Sequence, residues 1–250
     1  SLAHLKTDYV DILQLHTAKQ VPDPEDPDSL YSGLKELQKS GKIRFIGVTN
    51  HSRERSLNFL KTGLYDTLQF PLCMLSSEED LSIIDLCQEQ DVGLIAMKAI
   101  SGGLITNIPA AFAFLRQYSN VVPIWGIQRE RELDEFLALE KNPPELNETM
   151  LLEIEKDKKE LCGNFCRGCG YCLPCPAEIP INMAARMKLL LHRLPYARFL
   201  TDEWKDYMFR INDCIECGHC KDHCPYGLDT PNLLKENLAY YEGFYKEHVD

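Results

Sequence analysis

The sequence predicts an α/β portion built on a parallel sheet, followed by a small, mainly helical metal-binding domain. Three observations predict it. Short apolar runs alternate with helical segments to about residue 140, a proline-rich polar stretch then breaks the alternation, and nine of the eleven cysteines crowd between Cys162 and Cys224. With 250 residues, 44% of them hydrophobic, the chain can bury either one large core or a medium and a small one.

The strand candidates are "YVDILQLH" at 9–16, "IRFIGVTN" at 43–50, "TLQFPLCM" at 67–74, "VGLIAMKAI" at 92–100 and "VVPIWGI" at 121–127. Each is rich in β-branched and other apolar residues. Helices with recognisable ends lie between them. Asp28 is placed to cap a helix with Leu30, Leu34 and Leu37 on one face, and Gly41 stands where a left-handed stop is expected. Ser76 and Glu79 make a capping box ahead of Leu81, Ile84 and Cys87. Strands alternating with helices predict βα units around a parallel sheet.

Five units in about 140 residues have the spacing of a TIM (β/α)8 barrel, which needs eight. Five parallel strands cannot close at that geometry, so two sheet edges are expected to be open. A small open doubly wound sheet is the alternative, but the first βα turns lack its glycine-rich phosphate fingerprint. The chain opens at Ser1 rather than Met, and is expected to be part of a longer protein.

"EKNPPELNET" at 140–149 marks the boundary, giving a barrel portion over 1–145 and a second domain over 146–250. The second domain shows no strand pattern. A charged helix, "MLLEIEKDKKEL", leads into it, and Met183, Met187, Leu190 and Leu194 are expected in its core.

A formal charge of −11 argues against nucleic acid or an anionic membrane as partner, since both call for a positive field. No apolar run is long enough to span a bilayer, and the first residues lack the pattern of a secretory signal. A cytoplasmic, reducing location is expected. There, clustered cysteines read as metal ligands rather than disulfides.

Cys214, Cys217, Cys220 and Cys224 follow the CxxCxxCxxxCP spacing of bacterial ferredoxins, and Cys166, Cys169, Cys172 and Cys175 repeat it with one residue fewer before the last cysteine. The chain must curl tightly for three thiolates to meet corners of one cube. Gly168, Gly170 and Gly218 permit the approach, and Pro176 and Pro225 turn the chain away afterwards. Two zinc sites are the plainer alternative, but three cysteines in a row ending in Cys-Pro suit tetrahedral zinc poorly.

The two motifs together resemble two-cluster ferredoxins, which implies two [4Fe–4S] clusters. By that resemblance Cys166, Cys169 and Cys172 share one cluster with Cys224, while Cys214, Cys217 and Cys220 share the other with Cys175. Cys162 breaks the spacing and is expected as a free thiol; Cys73, on a strand, and Cys87, on an apolar helix face, are expected in the core. His192, His219 and His223 are expected as loop or helix residues rather than ligands.

"DYVDILQLH", "GKIRFIGVTNHS", "GLIAMKAI" and "IWGIQ", in that order, resemble the second part of an aldo/keto reductase barrel, strands four to eight, in the branch that carries a C-terminal ferredoxin-like domain. The resemblance implies hydride exchange between NAD(P) and a small carbonyl or alcohol. It matches His16 to a family histidine beside the substrate oxygen, Thr49 and Asn50 to a pair that binds the nicotinamide carboxamide, and Gln69 to a glutamine with the same task. An amide side chain offers both donor and acceptor for this.

Gln128 falls near the cofactor-phosphate position, whereas Phe136 stands where many members have an adenine-contacting Asn, so NAD versus NADP stays open. The family's Asp, Tyr and Lys come from the first strands, which this sequence does not include. Neither Tyr9 nor Lys98 substitutes for them. The leading expectation is an iron–sulfur oxidoreductase of the aldo/keto reductase type with two one-electron carriers. A ferredoxin-like electron-transfer module, docked to a redox partner protein by a non-catalytic barrel, is the second reading, and clusters with a purely structural role are the third.

Overall fold

The computed structural model describes residues 1–161 and 165–249. The chain divides into two compact units, one of residues 1–99 and 111–145, the other of residues 100–110 and 146–250. The first unit begins with a single helical turn, α1 (Leu2–Leu5), and contains five parallel strands in the order β1 (Val10–His16), β2 (Ile43–Thr49), β3 (Thr67–Pro71), β4 (Gly93–Met97) and β5 (Val121–Pro123). The helices α2 (Leu30–Lys39), α3 (Arg53–Leu60), α4 (Glu78–Glu89), α5 (Ile108–Arg116) and α6 (Glu130–Lys141) alternate with them.

Register separates the two faces of this sheet. Leu15, Val48, Leu68, Leu94 and Val121 form one row across all five strands, and α2, α3 and α4 pack against β2, β3 and β4. Val48, Leu68 and Leu94 are completely or almost completely buried in that layer. Each such side chain contributes about 1.5–3 kcal/mol of burial free energy. On the opposite face lie Gln14, Gly47, Thr67 and Gly93, then His16, Thr49, Gln69, Ile95 and Val122. A Cβ at Gly47 would stand 2.2 Å from Thr67 Oγ1, so only glycine admits the close strand approach there.

Helix ends follow the expected physics, with two shifts of one residue. Ser29, not Asp28, caps α2 by accepting from Ser32 N at 3.2 Å, and Ser77, not Ser76, caps α4 by accepting from Asp80 N at 3.2 Å. Gly41 takes the left-handed conformation beyond α2, with φ 70°. The third strand stops at Pro71, so Cys73 lies in the following turn rather than on the strand, while Cys87 is fully buried on α4.

The second unit is helical among its described residues: α7 (Glu148–Glu160), α8 (Ile181–Ala184), α9 (Met187–Arg193), α10 (Asp202–Phe209), α11 (His219–Asp222) and α12 (Thr230–His248). Met187, Leu190 and Tyr241 form a buried centre, with Tyr241 Oη donating to Phe199 O at 2.8 Å. Asn237 on α12 ties down the junction of α8 and α9. Its Oδ1 accepts from Lys188 N at 2.8 Å and its Nδ2 donates to Ala185 O at 3.2 Å. Arg193 on α9 bridges Asp157 on α7 at 2.8 Å and also pairs with Glu160. No described helix is long and apolar enough to cross a membrane.

Candidate functional site

Two cysteine-bearing loops of the second unit use the same backbone handedness. Gly168 and Gly170 in the first have φ of 64° and 85°; Glu216 and Gly218, at the matching places in the second, have φ of 52° and 75°. These left-handed residues curl each loop tightly, as wrapping a cluster requires. Gly168 N donates to Cys166 Sγ at 3.4 Å, the backbone-to-sulfur bond expected of such a turn.

A pocket is lined by Cys172 and Cys175 of the first motif together with Cys214, Cys217 and Cys220 of the second. Ile179, Ile181, Ile215 and Leu234 supply its apolar wall. On the other side of the motif, Cys166 interacts electrostatically with both Cys169 and Cys224. Among the described residues no three His, Cys, Asp or Glu side chains converge closely enough to hold a single metal ion. The thiols border open space instead. Cys162 lies outside the described residues.

Burial pushes the Cys172 thiol up to about 12, and also raises Cys166 and Cys220. Without positive charge at the centre these thiols stay protonated; iron would supply that charge and make thiolates of them. A donor set of sulfurs, ringing a space with apolar walls, fits an iron–sulfur cluster.

Tyr226 packs under the Arg167 guanidinium, 4.7 Å from ring centroid to Cζ, and its hydroxyl is raised by burial and by Cys169. His219 and His223 stack at 4.0 Å, with His223 Nδ1 against His219 O at 2.9 Å, and His192 Nε2 meets Tyr240 Oη at 2.7 Å.

In the first unit, His16, Thr49 and Gln69 fall in one register row at or near the C-terminal ends of β1, β2 and β3. His16 is exposed, Thr49 buried and Gln69 half-buried; Gln69 Nε2 donates to Met97 Sδ at 3.6 Å. Asn50 is buried and its amide is engaged locally. Nδ2 donates to Ala18 O at 3.0 Å, and Oδ1 accepts from Ser52 N at 3.0 Å, which holds the turn into α3. Gln128 lies on an exposed stretch after β5, apart from that row, where its backbone N donates to Glu132 Oε2 at 2.9 Å. Phe136 is buried and stacks on Trp125 at 4.8 Å, which stacks in turn on Phe112.

Sequence reasoning passed over His51. It is buried directly after Asn50, and burial, Lys98 and His16 together lower its pKa to about 4, leaving a neutral imidazole. Lys98 follows β4 with φ 60°. The sequence signal was slight: a histidine one residue past a strand that ends in a polar pair.

The first unit is thus a parallel α/β segment with polar residues at its strand ends, and the second a helical domain with two cysteine-bearing loops. Comparison with known proteins specifies both parts. The aldo/keto reductase family model matches residues 1–112, and the 4Fe-4S dicluster domain model matches residues 165–229. The matches thus liken the first part of the chain to an aldo/keto reductase and the second to a 4Fe–4S dicluster domain.

It is 33% identical over 108 residues to the aldo-keto reductase YhdN of Bacillus subtilis, covering 43% of this chain and 31% of that protein. It is also 33% identical over 110 residues to the uncharacterized oxidoreductase YcsN of the same organism, covering 42% and 35%. The chain therefore spans about a third of the length of these curated relatives. An aldo-keto reductase of Klebsiella pneumoniae, solved in complex with NADPH, shares the fold with a TM-score of 0.51 at 17% identity, over 62% of this chain and 61% of that one. These likenesses make the five βα units part of a TIM barrel.

Proposed function

We propose that the chain belongs to an iron–sulfur oxidoreductase in which two [4Fe–4S] clusters serve an aldo/keto reductase-type site. The observation that carries this reading is that Cys175 shares a pocket with Cys214, Cys217 and Cys220, with Cys172 between this pocket and Cys166 and Cys169, while Cys224 interacts with Cys166. Two sets of four thiols, each borrowing its last member from the other motif, are what two cubanes need. Thiols that border a volume suit a cluster better than a lone tetrahedral ion.

In the complete protein the clusters supply one-electron transfer and NAD(P) supplies hydride. His16 hydrogen-bonds and orients the oxygen of a small carbonyl or alcohol. Thr49, Asn50 and Gln69 hold the nicotinamide carboxamide, and Gln128 lies toward the cofactor phosphates. The catalytic acid comes from residues outside this chain. The working division is a barrel portion over 1–145 and a cluster domain over 146–250, in a cytoplasmic protein with a redox partner.

The test is chemical analysis of the chain prepared without oxygen. About eight iron and eight labile sulfide per chain are expected. Stoichiometric zinc without sulfide would overturn the reading.

A second reading, an electron-transfer module on a non-catalytic barrel, draws on Asn50. Its amide already bonds Ala18 and Ser52, which weakens its availability to a nicotinamide. The complete protein separates the two readings: nicotinamide binding and a turnover that drops on His16→Ala favour the reductase, and their absence favours the module.

A further inference from the structure

Arg186 is a cation buried in the second unit, 8% exposed, at the junction of α8 and α9. Its Nη1 donates to Gly102 O at 3.3 Å and its Nη2 approaches Met183 Sδ at 3.7 Å, while its buried Nε has no hydrogen-bond partner among the described residues. Among the described residues no carboxylate is in an ion pair with it. A buried guanidinium left in that state is costly unless negative charge compensates it.

The guanidinium lies on the turn between Cys166 and Cys169. A Cβ on Gly168 would stand 2.9 Å from Arg186 Cζ, and one on Gly102 would stand 3.0 Å from Nη1. Backbone conformation alone does not demand glycine at 168, because Glu216 takes almost the same φ at the matching place of the second motif. The first motif keeps the space clear for the arginine. Asn237, holding Lys188 N and Ala185 O, fixes the backbone on both sides of Arg186.

The second motif has no counterpart. Its pocket is walled by isoleucines and Leu234, contains Glu216, and includes no Lys or Arg among the described residues. The nearby Lys235 is exposed and paired with Glu216 at 2.9 Å.

We propose that Arg186 is the buried countercharge of the cluster held by Cys166, Cys169, Cys172 and Cys224, making that cluster the more easily reduced of the two. The proposal rests on the two-cluster reading above. Reduction adds one electron, and so one negative charge, to a cluster already surrounded by four thiolates. A fixed cation in a low-dielectric setting stabilises the reduced form more than the oxidised one, and net charge is among the determinants of cluster potential.

The experiment titrates the full chain, prepared without oxygen and assayed for iron and sulfide, with dithionite as reductant under electron paramagnetic resonance. Two reduction steps are expected. Arg186→Gln should move the easier step to more negative potential, by about tenfold in the reduced-to-oxidised ratio, or about 59 mV for one electron, and leave the other step in place. Arg186→Lys should retain most of the wild-type value.

Loss of one cluster from the Gln variant, with retention in the Lys variant, would support the countercharge equally. Unchanged potentials in a fully loaded Gln variant, or equal failure of Gln and Lys variants, would overturn it. A wild-type chain devoid of iron and sulfide is a different outcome, which removes the two-cluster reading and the proposal with it.

Discussion

Cys175 and Cys217 border the same pocket although they belong to different cysteine motifs. Their proximity makes the crossing of ligands testable. Cys175→Ala should strip the cluster of the Cys214 motif, lowering iron from about eight to about four per chain, and Cys224→Ala should do the same to the Cys166 motif. Spectra showing that each variant empties the cluster of its own motif would sink the crossing.

Gly47 lies where a methyl group would stand 2.2 Å from Thr67 Oγ1, an atom that has no hydrogen-bond partner in the sheet. Gly47→Ala should destabilise the barrel unit by about 1–3 kcal/mol through overpacking. Thr67→Ala in the same chain should recover most of that loss, a coupling visible in urea unfolding. An additive pair would show that the strands part freely at this point.

His51 gives the barrel unit an acid-sensitive element. Its pKa falls from the usual 6.5 to about 4 through burial, with Lys98 and His16 adding repulsion. The unfolded chain therefore binds the extra proton first as pH drops. Stability linked to this group is fully present above about 6.5 and is lost progressively down to about 4. His51→Asn should flatten that part of the stability profile, measured by thermal unfolding across the range; an unchanged slope would assign the sensitivity elsewhere.

Arg193 and Asp157 make a pair whose side chains are 11% and 9% exposed. Removing one partner strands a buried charge, so Arg193→Met should cost about 3–5 kcal/mol, and Arg193→Met with Asp157→Leu should regain much of it. Calorimetric melting of the two variants distinguishes this from a simple packing loss, in which the double variant would be worse than the single.

Local patterns carried much of the architecture. Five strands and their helices were legible because alternation and capping act over a few residues, as Leu68 and Phe70 in β3 and the leucines of α2 show. The caps slipped by one residue, from Asp28 to Ser29 and from Ser76 to Ser77, because which oxygen reaches the free N–H depends on backbone angles at the turn. The row of His16, Thr49 and Gln69 was visible only through the family resemblance. Strand register, which aligns them, is set by pairing between distant segments.

The amino-acid order alone determined that eight cysteines would form two tightly curled loops and that β-branched runs would build a parallel sheet, since both depend on neighbours along the chain. Tertiary structure decided that cysteines of both motifs border one pocket, that His51 is buried near Lys98 and His16, and that Arg186 rests on Gly168 with no paired carboxylate among the described residues. Burial and charge interaction in a low-dielectric interior are created by residues brought from far along the chain, and no local spacing encodes them.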